Sequence, residues 1–202
     1  MGNVEPCLNL GAWQTRSRVN GPGQRFVLWM QGCLLRCAGC VNQEFLPFVD
    51  RHRIPVEGMA GRVLAVEGIE GVTYTGGEPV AQAPALALLS ARLRAAGLTI
   101  VCYTGYELEE LTALDNPSVA RLLSSVDVLI DGPYVRHEAA NLLWRGSTNQ
   151  RVHFLTDAYK HLAEEMESRG GGVEFTVRCD QFTVTGNWPK GFLQRLEKVL
   201  RS

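Results

Sequence analysis

Neither sign of charge is in excess in this sequence: 20 Lys and Arg stand against 21 Asp and Glu, a formal net charge of -1. That balance excludes the generally basic surface of a nucleic-acid binder. Histidine is scarce, and His52, His137, His153 and His161 show no ligand spacing, so all four read as structural or exposed. Long hydrophobic runs are missing too: Gly, Glu, Arg or Gln interrupts every apolar stretch before the ~18 residues that a membrane crossing needs. The first 14 residues have no basic start, apolar core or small-residue cleavage site, so secretion is not expected. There is no internal repeat, low-complexity tract or long linker.

What is present has the composition of a soluble domain, 46% hydrophobic and 20% charged. From Arg25 onward, short apolar runs at 25–30, 71–75, 98–103, 126–130 and 152–155 alternate with helical patterns at 56–66, 84–96, 107–114 and 117–124. Near-continuous apolar strands separated by helices predict a parallel sheet with right-handed crossovers, an α/β fold. After residue 156 the character changes: a helix is expected at 157–168, a hairpin from 173–177 and 182–185, and a last helix at 191–200. The hairpin alternates apolar and polar residues, as an antiparallel lobe does.

Parallel sheets build their sites on the loops at the C-terminal strand ends. The unusual residues sit there: Gln31-Gly32-Cys33, Gly76-Gly77-Glu78-Pro79, Thr104-Gly105-Tyr106 and Asp131-Gly132-Pro133-Tyr134. Four such loops on one rim argue for a shared pocket. On its own the Gly-Gly-Glu-Pro turn reads sooner as a plain strand-to-helix connection, and it gains weight only beside the cysteine loop; Asp131 reads as a helix cap or turn former or as a polar contact.

Of six cysteines, Cys33, Cys37 and Cys40 form C-x3-C-x2-C, whereas Cys7, Cys102 and Cys179 stand far apart. In a reducing cytoplasm this reads as metal binding or redox chemistry before it reads as disulfides. Cys102, inside an apolar strand, reads as packed core. Structural zinc takes four ligands, and the nearest fourth candidate, His52, lies beyond Pro47. Thiolates suit iron-sulfur clusters, and three of them on a four-iron cluster leave one iron open to a chelating amine and carboxylate. Zinc and a non-catalytic cluster stay open as alternatives.

The likeness extends beyond the cysteines. Val19-Asn20-Gly21-Pro22-Gly23-Gln24-Arg25, Gly39-Cys40-Val41-Asn42, Tyr103-Thr104-Gly105-Tyr106-Glu107-Leu108, Asp127-Val128-Leu129-Ile130-Asp131-Gly132 and Trp144-Arg145-Gly146-Ser147-Thr148-Asn149-Gln150 follow one another in order. Together with the cysteine loop they resemble the radical S-adenosylmethionine (SAM) superfamily, and within it the activating proteins of anaerobic ribonucleotide reductase. Two departures matter: Gly39 stands where many superfamily members carry an aromatic residue, and the chain after residue 156 has no counterpart in the most compact family members.

The resemblance implies an incomplete parallel (β/α) barrel over residues 1–155 with a small C-terminal α+β extension, 156–202, packed on it. It implies a 4Fe-4S cluster on Cys33, Cys37 and Cys40 with one open iron for SAM. Gly76, Gly77 and Glu78 would hold the methionyl amino group, Gly39, Cys40 and Val41 would lie against the adenosyl moiety, and Asp131, Gly132 and Pro133 would add contacts to SAM. Arg145, Ser147, Asn149 and Gln150 offer donors to SAM or to an incoming polypeptide. The implied activity is reductive cleavage of SAM to place a glycyl radical on a partner enzyme, anaerobic ribonucleotide reductase, with flavodoxin or ferredoxin as electron donor. A radical SAM enzyme acting on a small molecule or peptide is the alternative within this chemistry.

Overall fold

A computed structural model describes residues 5–166, 168–178, 181–188 and 191–201; Cys179 lies outside the described residues. The main body runs β1 (Cys7–Ser17), β2 (Arg25–Met30), β3 (His52–Pro55), α1 (Val56–Leu64), β4 (Gly71–Gly76), α2 (Ala83–Ala95), β5 (Thr99–Tyr103), α3 (Leu108–Ala113), α4 (Pro117–Leu123), β6 (Val128–Asp131) and β7 (Arg151–Phe154). These strands form one open sheet in the order β3-β1-β2-β4-β5-β6-β7. β2, β4, β5 and β6 are mutually parallel, while β1, β3 and β7 run antiparallel to their neighbours. The expected α/β fold with a parallel centre is therefore present, as a sheet that does not close on itself. Among the described residues no helix is long and apolar enough to cross a membrane.

Four elements differ from the sequence reading. The short edge strand β3, paired with β1, went unread because His52 and Arg53 leave it no apolar run. β1 was not anticipated: Leu8 and Leu10 are buried on either side of the more exposed Asn9, but Gly11 and two register shifts interrupt the alternation. β7 returns antiparallel rather than parallel, because the connection over residues 132–150 carries no crossover helix. The segment Asp157–Glu165 winds as a 3-10 helix, started by Thr156, whose hydroxyl accepts from the Ala158 N–H.

Register sorts the sheet into two faces. Leu28, Tyr74, Cys102 and Leu129 lie side by side across the parallel strands and enter the core with Met59 and Val63 of α1 and Leu86, Leu89 and Leu93 of α2. On the other face Val101, Val128 and Ile130 meet Leu143, Trp144, Tyr159 and Met166. A parallel strand covered on both sides has to be apolar at successive positions, which is why these runs stood out in the sequence. At the start of β2 the fully buried Arg25 guanidinium donates to Val72 O at 2.7 Å, Thr99 O at 2.8 Å and the Tyr159 hydroxyl at 3.3 Å. This pins the 3-10 segment across the floor of the sheet, at the N-terminal ends of the parallel strands.

The chain finishes with a separate antiparallel pair, β8 (Val173–Arg178) and β9 (Gln181–Gly186), followed by α5 (Phe192–Leu200). It is tied to the body by bonds from Gln14 Nε2 to Glu174 Oε2 at 3.3 Å, Asn20 Nδ2 to Thr185 Oγ1 at 3.1 Å and Asn187 Nδ2 to Leu142 O at 3.0 Å.

Candidate functional site

The cysteine loop leaves β2 by backbone pairing with a short turn at Gln43–Phe45: Gly32 N–H donates to Phe45 O at 2.8 Å and Cys33 N–H to Leu46 O at 3.0 Å. Gly32 adopts a φ of 99°, and a Cβ there would sit 2.6 Å from the Phe48 ring, so only glycine fits. Arg36 and Gly39 also take positive φ, 48° and 81°. These reversals fold the loop back, so that Cys33, Cys37 and Cys40 all line one cavity of about 890 Å³ on the face opposite α1 and α2.

The thiols interact with one another electrostatically. Burial pushes Cys33 up, while the Leu35 and Arg36 N–H groups aimed at its sulfur oppose that shift. Burial likewise raises Cys40, against the Asn42 N–H. Amide donors of this kind favour the thiolate, the form that binds iron. Among the described residues no three His, Cys, Asp or Glu side chains converge on a single-ion site. The fourth zinc ligand considered from sequence, His52, instead meets Trp13 edge-on at 5.3 Å. The three thiols line one cavity without converging as a preformed ligand set, and thiolates are the donors that iron-sulfur clusters take.

The glycine loop after β4 is joined to this loop through the backbone. Gly77 N–H donates to Met30 O and Glu78 N–H to Gly32 O, both at 2.8 Å, and Asn42 Nδ2 donates to Gly76 O at 3.3 Å. Gly76 has a φ of 96°, and its Cβ would stand 2.6 Å from Met30 N; a Cβ on Gly77 would fall on the Gly32 carbonyl oxygen. The buried Glu78 carboxylate accepts from Val80 N–H and the Thr104 hydroxyl through Oε1 and from Gly105 N–H through Oε2, each at 2.9 Å. Burial pushes it above the usual carboxylate range, and these three donors only partly offset that. Gly76, Gly77 and Glu78 line the cavity beside the cysteines. Glu78 is thus first a tie between the loops after β4 and β5.

The remaining candidates divide. Cys40 and Val41 line the cavity, whereas Gly39 turns toward the Arg136 side chain. Gly132 lines it, but Asp131 and Pro133 do not. Asp131 is fully buried beneath the rim: it accepts from Leu108 N–H at 2.8 Å, pairs with Arg151, and lies 2.9 Å from His153 Nε2. Burial pushes its carboxyl up, but Arg151, the Leu108 amide and His153 together outweigh this and hold it below the ordinary range. Pro133 O accepts from Asn149 Nδ2 at 2.8 Å. Gln150 does line the cavity, while donating to Gly132 O at 3.1 Å. Ser147 accepts from Val135 N–H and Arg145 donates to Met166 O, so these two shape the loop behind the cavity.

Other residues of the site went unassigned in the sequence. Asn42 and Thr104 stood inside quoted motifs without a role. Trp29, Thr75 and Tyr103, on the cavity face of β2, β4 and β5, read simply as strand residues. Thr176, Thr183 and Thr185 of the C-terminal hairpin also line the cavity, and nothing in the sequence signalled it.

A sequence model of the 4Fe-4S single cluster domain family matches residues 19–153. The anaerobic ribonucleoside-triphosphate reductase-activating protein of Vibrio cholerae serotype O1 is 34% identical over 148 residues, covering 68% of this chain and 92% of that protein. Its namesake from Enterobacteria phage T4 is 36% identical over 151 residues, covering 71% and 92%. The crystal structure of QueE from Escherichia coli superposes with a TM-score of 0.40 at 17% identity, over 50% of this chain and 53% of that one.

Proposed function

The chain belongs to the 4Fe-4S single cluster domain family and, within it, to the anaerobic ribonucleoside-triphosphate reductase-activating proteins, and from that premise we infer that Cys33, Cys37 and Cys40 hold the cluster while one iron stays free for SAM. It is a radical SAM enzyme that cleaves SAM reductively and generates a glycyl radical on a partner, anaerobic ribonucleotide reductase. The observation that supports the site assignment is the backbone weld between the cysteine loop and the Gly76-Gly77 strand end, with all three thiols and both glycines lining the same cavity.

When bound, the cluster and SAM supply one-electron cleavage of a sulfonium and, with it, the power to remove a hydrogen atom from glycine. The protein's own groups prepare for this. Amide N–H groups of Leu35 and Arg36 at Cys33 and of Asn42 at Cys40 favour the thiolate that a cluster binds, offsetting part of the burial that pushes both thiols up. Gly76 and Gly77 let the backbone come close to the methionyl end, and Glu78 fixes that loop from beneath through Thr104 and Gly105. Cys40, Val41 and Gly132 flank the nucleoside side, with Trp29 and Tyr103 closing the floor against water. Asp131 acts at one remove, holding Leu108 and Arg151 so that Gly132 faces inward.

The open sheet is read as the incomplete barrel of this enzyme class. Leu34, off the cavity lining, is 72% exposed on the cysteine loop, on a face suited to receive flavodoxin or ferredoxin as the electron donor. A cytoplasmic setting follows from the need for reduced thiols.

The test is anaerobic reconstitution of the protein, followed by iron and sulfide analysis, assay of deoxyadenosine after reduction with SAM, and electron paramagnetic resonance with the reductase present. About four irons per chain, deoxyadenosine and a glycine-centred signal are expected. Zinc in place of iron, or a cluster that never cleaves SAM, overturns the reading.

A further inference from the structure

The hairpin β8-β9 lies outside the family match, which ends at residue 153, and it is packed against the usual logic of an amphipathic sheet. Pairing of Thr176 with Thr183 and of Glu174 with Thr185 puts these four polar residues on one face. That face is turned inward. Thr176, Thr183 and Thr185 line the cavity that holds the three cysteines, and Glu174 and Thr185 bond to Gln14 and Asn20 of the main body. On the other face Phe175 stacks on Phe182 at 5.4 Å and meets Phe192 of α5 at 6.1 Å, and among the described side chains of this face Val184 alone borders the cavity. A hairpin that only filled space would turn its phenylalanines toward the body. Here Phe192 of α5 packs on Phe175, leaving Phe175 47% and Phe182 42% exposed, while hydroxyls are presented to the cavity.

The chemistry of this wall is neutral. Among the described residues the extension puts threonine hydroxyls, the amides of Asn187 and Gln194, the rings of Trp188 and Phe192 and the side chain of Val184 on the cavity, with no charged side chain. The whole cavity has one cation among its described lining residues, Arg136. A phosphate- or carboxylate-bearing substrate would ask for more positive charge. The hydroxyl of Thr176 has no hydrogen-bond partner among the described residues, and that of Thr183 reaches only Thr176 O, at 3.4 Å. Hydroxyls both donate and accept, as the main chain does. A glycine has no side chain to recognise, so a site selecting one has to grip the neighbouring peptide groups.

We propose that the C-terminal hairpin and α5 form the part of the cavity that binds the glycine-bearing segment of the partner, Thr176, Thr183 and Gln194 bonding its main chain within the same cavity that the cysteine loop lines. This rests on the activase reading above and adds to it a substrate-positioning role for residues 173–194.

The test uses the full-length, cluster-loaded protein with the anaerobic reductase of the same cell, comparing wild type with the Thr176→Val/Thr183→Val double variant and separately with Gln194→Leu. Valine keeps the shape and the strand preference of threonine, and Gln194 is exposed on α5, so both chains are expected to fold. Iron content and deoxyadenosine formation without reductase should match wild type. The apparent affinity for the reductase should fall by about tenfold in the double variant, the loss expected of two neutral hydrogen bonds, with the glycyl signal at fixed reductase falling in step. Unchanged affinity and glycyl yield in both variants overturn the assignment of the wall, as does a parallel loss of reductase-free SAM cleavage, which would put these residues at the cofactor instead. If wild type cleaves SAM but leaves no glycine radical on the reductase, the activase reading itself fails and the wall assignment falls with it.

Discussion

Glu78 Oε1 lies 2.9 Å from the Thr104 hydroxyl, so a single buried carboxylate spans two neighbouring strand-end loops. In Glu78→Gln, one of the three donors must face an amide N–H instead of an oxygen. The substitution is expected to cost about 1–3 kcal/mol of stability, the penalty for a buried donor left without an acceptor. It should also weaken SAM binding while iron content stays that of wild type. Denaturant unfolding and equilibrium SAM binding measure the two effects, and unchanged values in both would remove Glu78 from its place as a tie.

Cys33→Ser, Cys37→Ser and Cys40→Ser are each expected to abolish deoxyadenosine formation and to reduce bound iron. Cys102→Ala should do neither, because Cys102 is buried among Leu28, Tyr74 and Leu129 on the helix side of the sheet; it should cost about 1 kcal/mol of packing. Full turnover by any of the three serine variants would break the ligand assignment.

Two glycine-to-alanine changes should act in opposite directions. Gly61 lies within α1 and a Cβ there meets nothing within 4 Å, so Gly61→Ala is expected to stabilise the protein by about 0.5–1 kcal/mol. Gly77→Ala sets a methyl against the Gly32 carbonyl and should cost about 1–3 kcal/mol. Pushing the cysteine loop aside, it should also slow SAM cleavage. Thermal unfolding of the two variants side by side decides this.

Asp131 supplies a pH signature. Its folded-state carboxyl is held below the ordinary value by Arg151, the Leu108 amide and His153, which outweigh its burial. The stability it contributes is therefore complete above the unfolded-state pKa of an aspartate and is lost as pH falls through the depressed folded-state value. Asp131→Asn should remove that acid-side loss, lowering stability at neutral pH and flattening the curve below about pH 4. A wild-type and variant pair with parallel acid profiles would rule out the coupling.

The parallel centre of the fold was legible because strands covered on both faces have to be apolar at successive positions, as residues 26–30 of β2, 100–103 of β5 and 128–130 of β6 are. β1 was hidden because Gly11 and its bulges break the period-two signal. The run at 152–155 was recognised as a strand, yet its direction depends on whether a helix crosses over, and a long loop leaves that open. At the site, the cysteine spacing and the Gly-Gly-Glu turn were readable since each demands rare residues at fixed offsets. Asp131 illustrates the limit: the sequence places it at a strand end, but only three-dimensional proximity to Arg151 and His153 shows where its oxygens are used. The threonines of the hairpin were invisible for a related reason. Alternation tells which residues share a face, and nothing local tells which face turns inward.

The threonine-bearing hairpin shares no sheet with the strands that carry the cysteines and the paired glycines; it is tied to them through side chains of Gln14, Asn20 and Asn187. Its hold can therefore loosen without disturbing the seven-stranded sheet, and hydrogen exchange should find the hairpin amides opening at a lower free energy than those of the parallel centre.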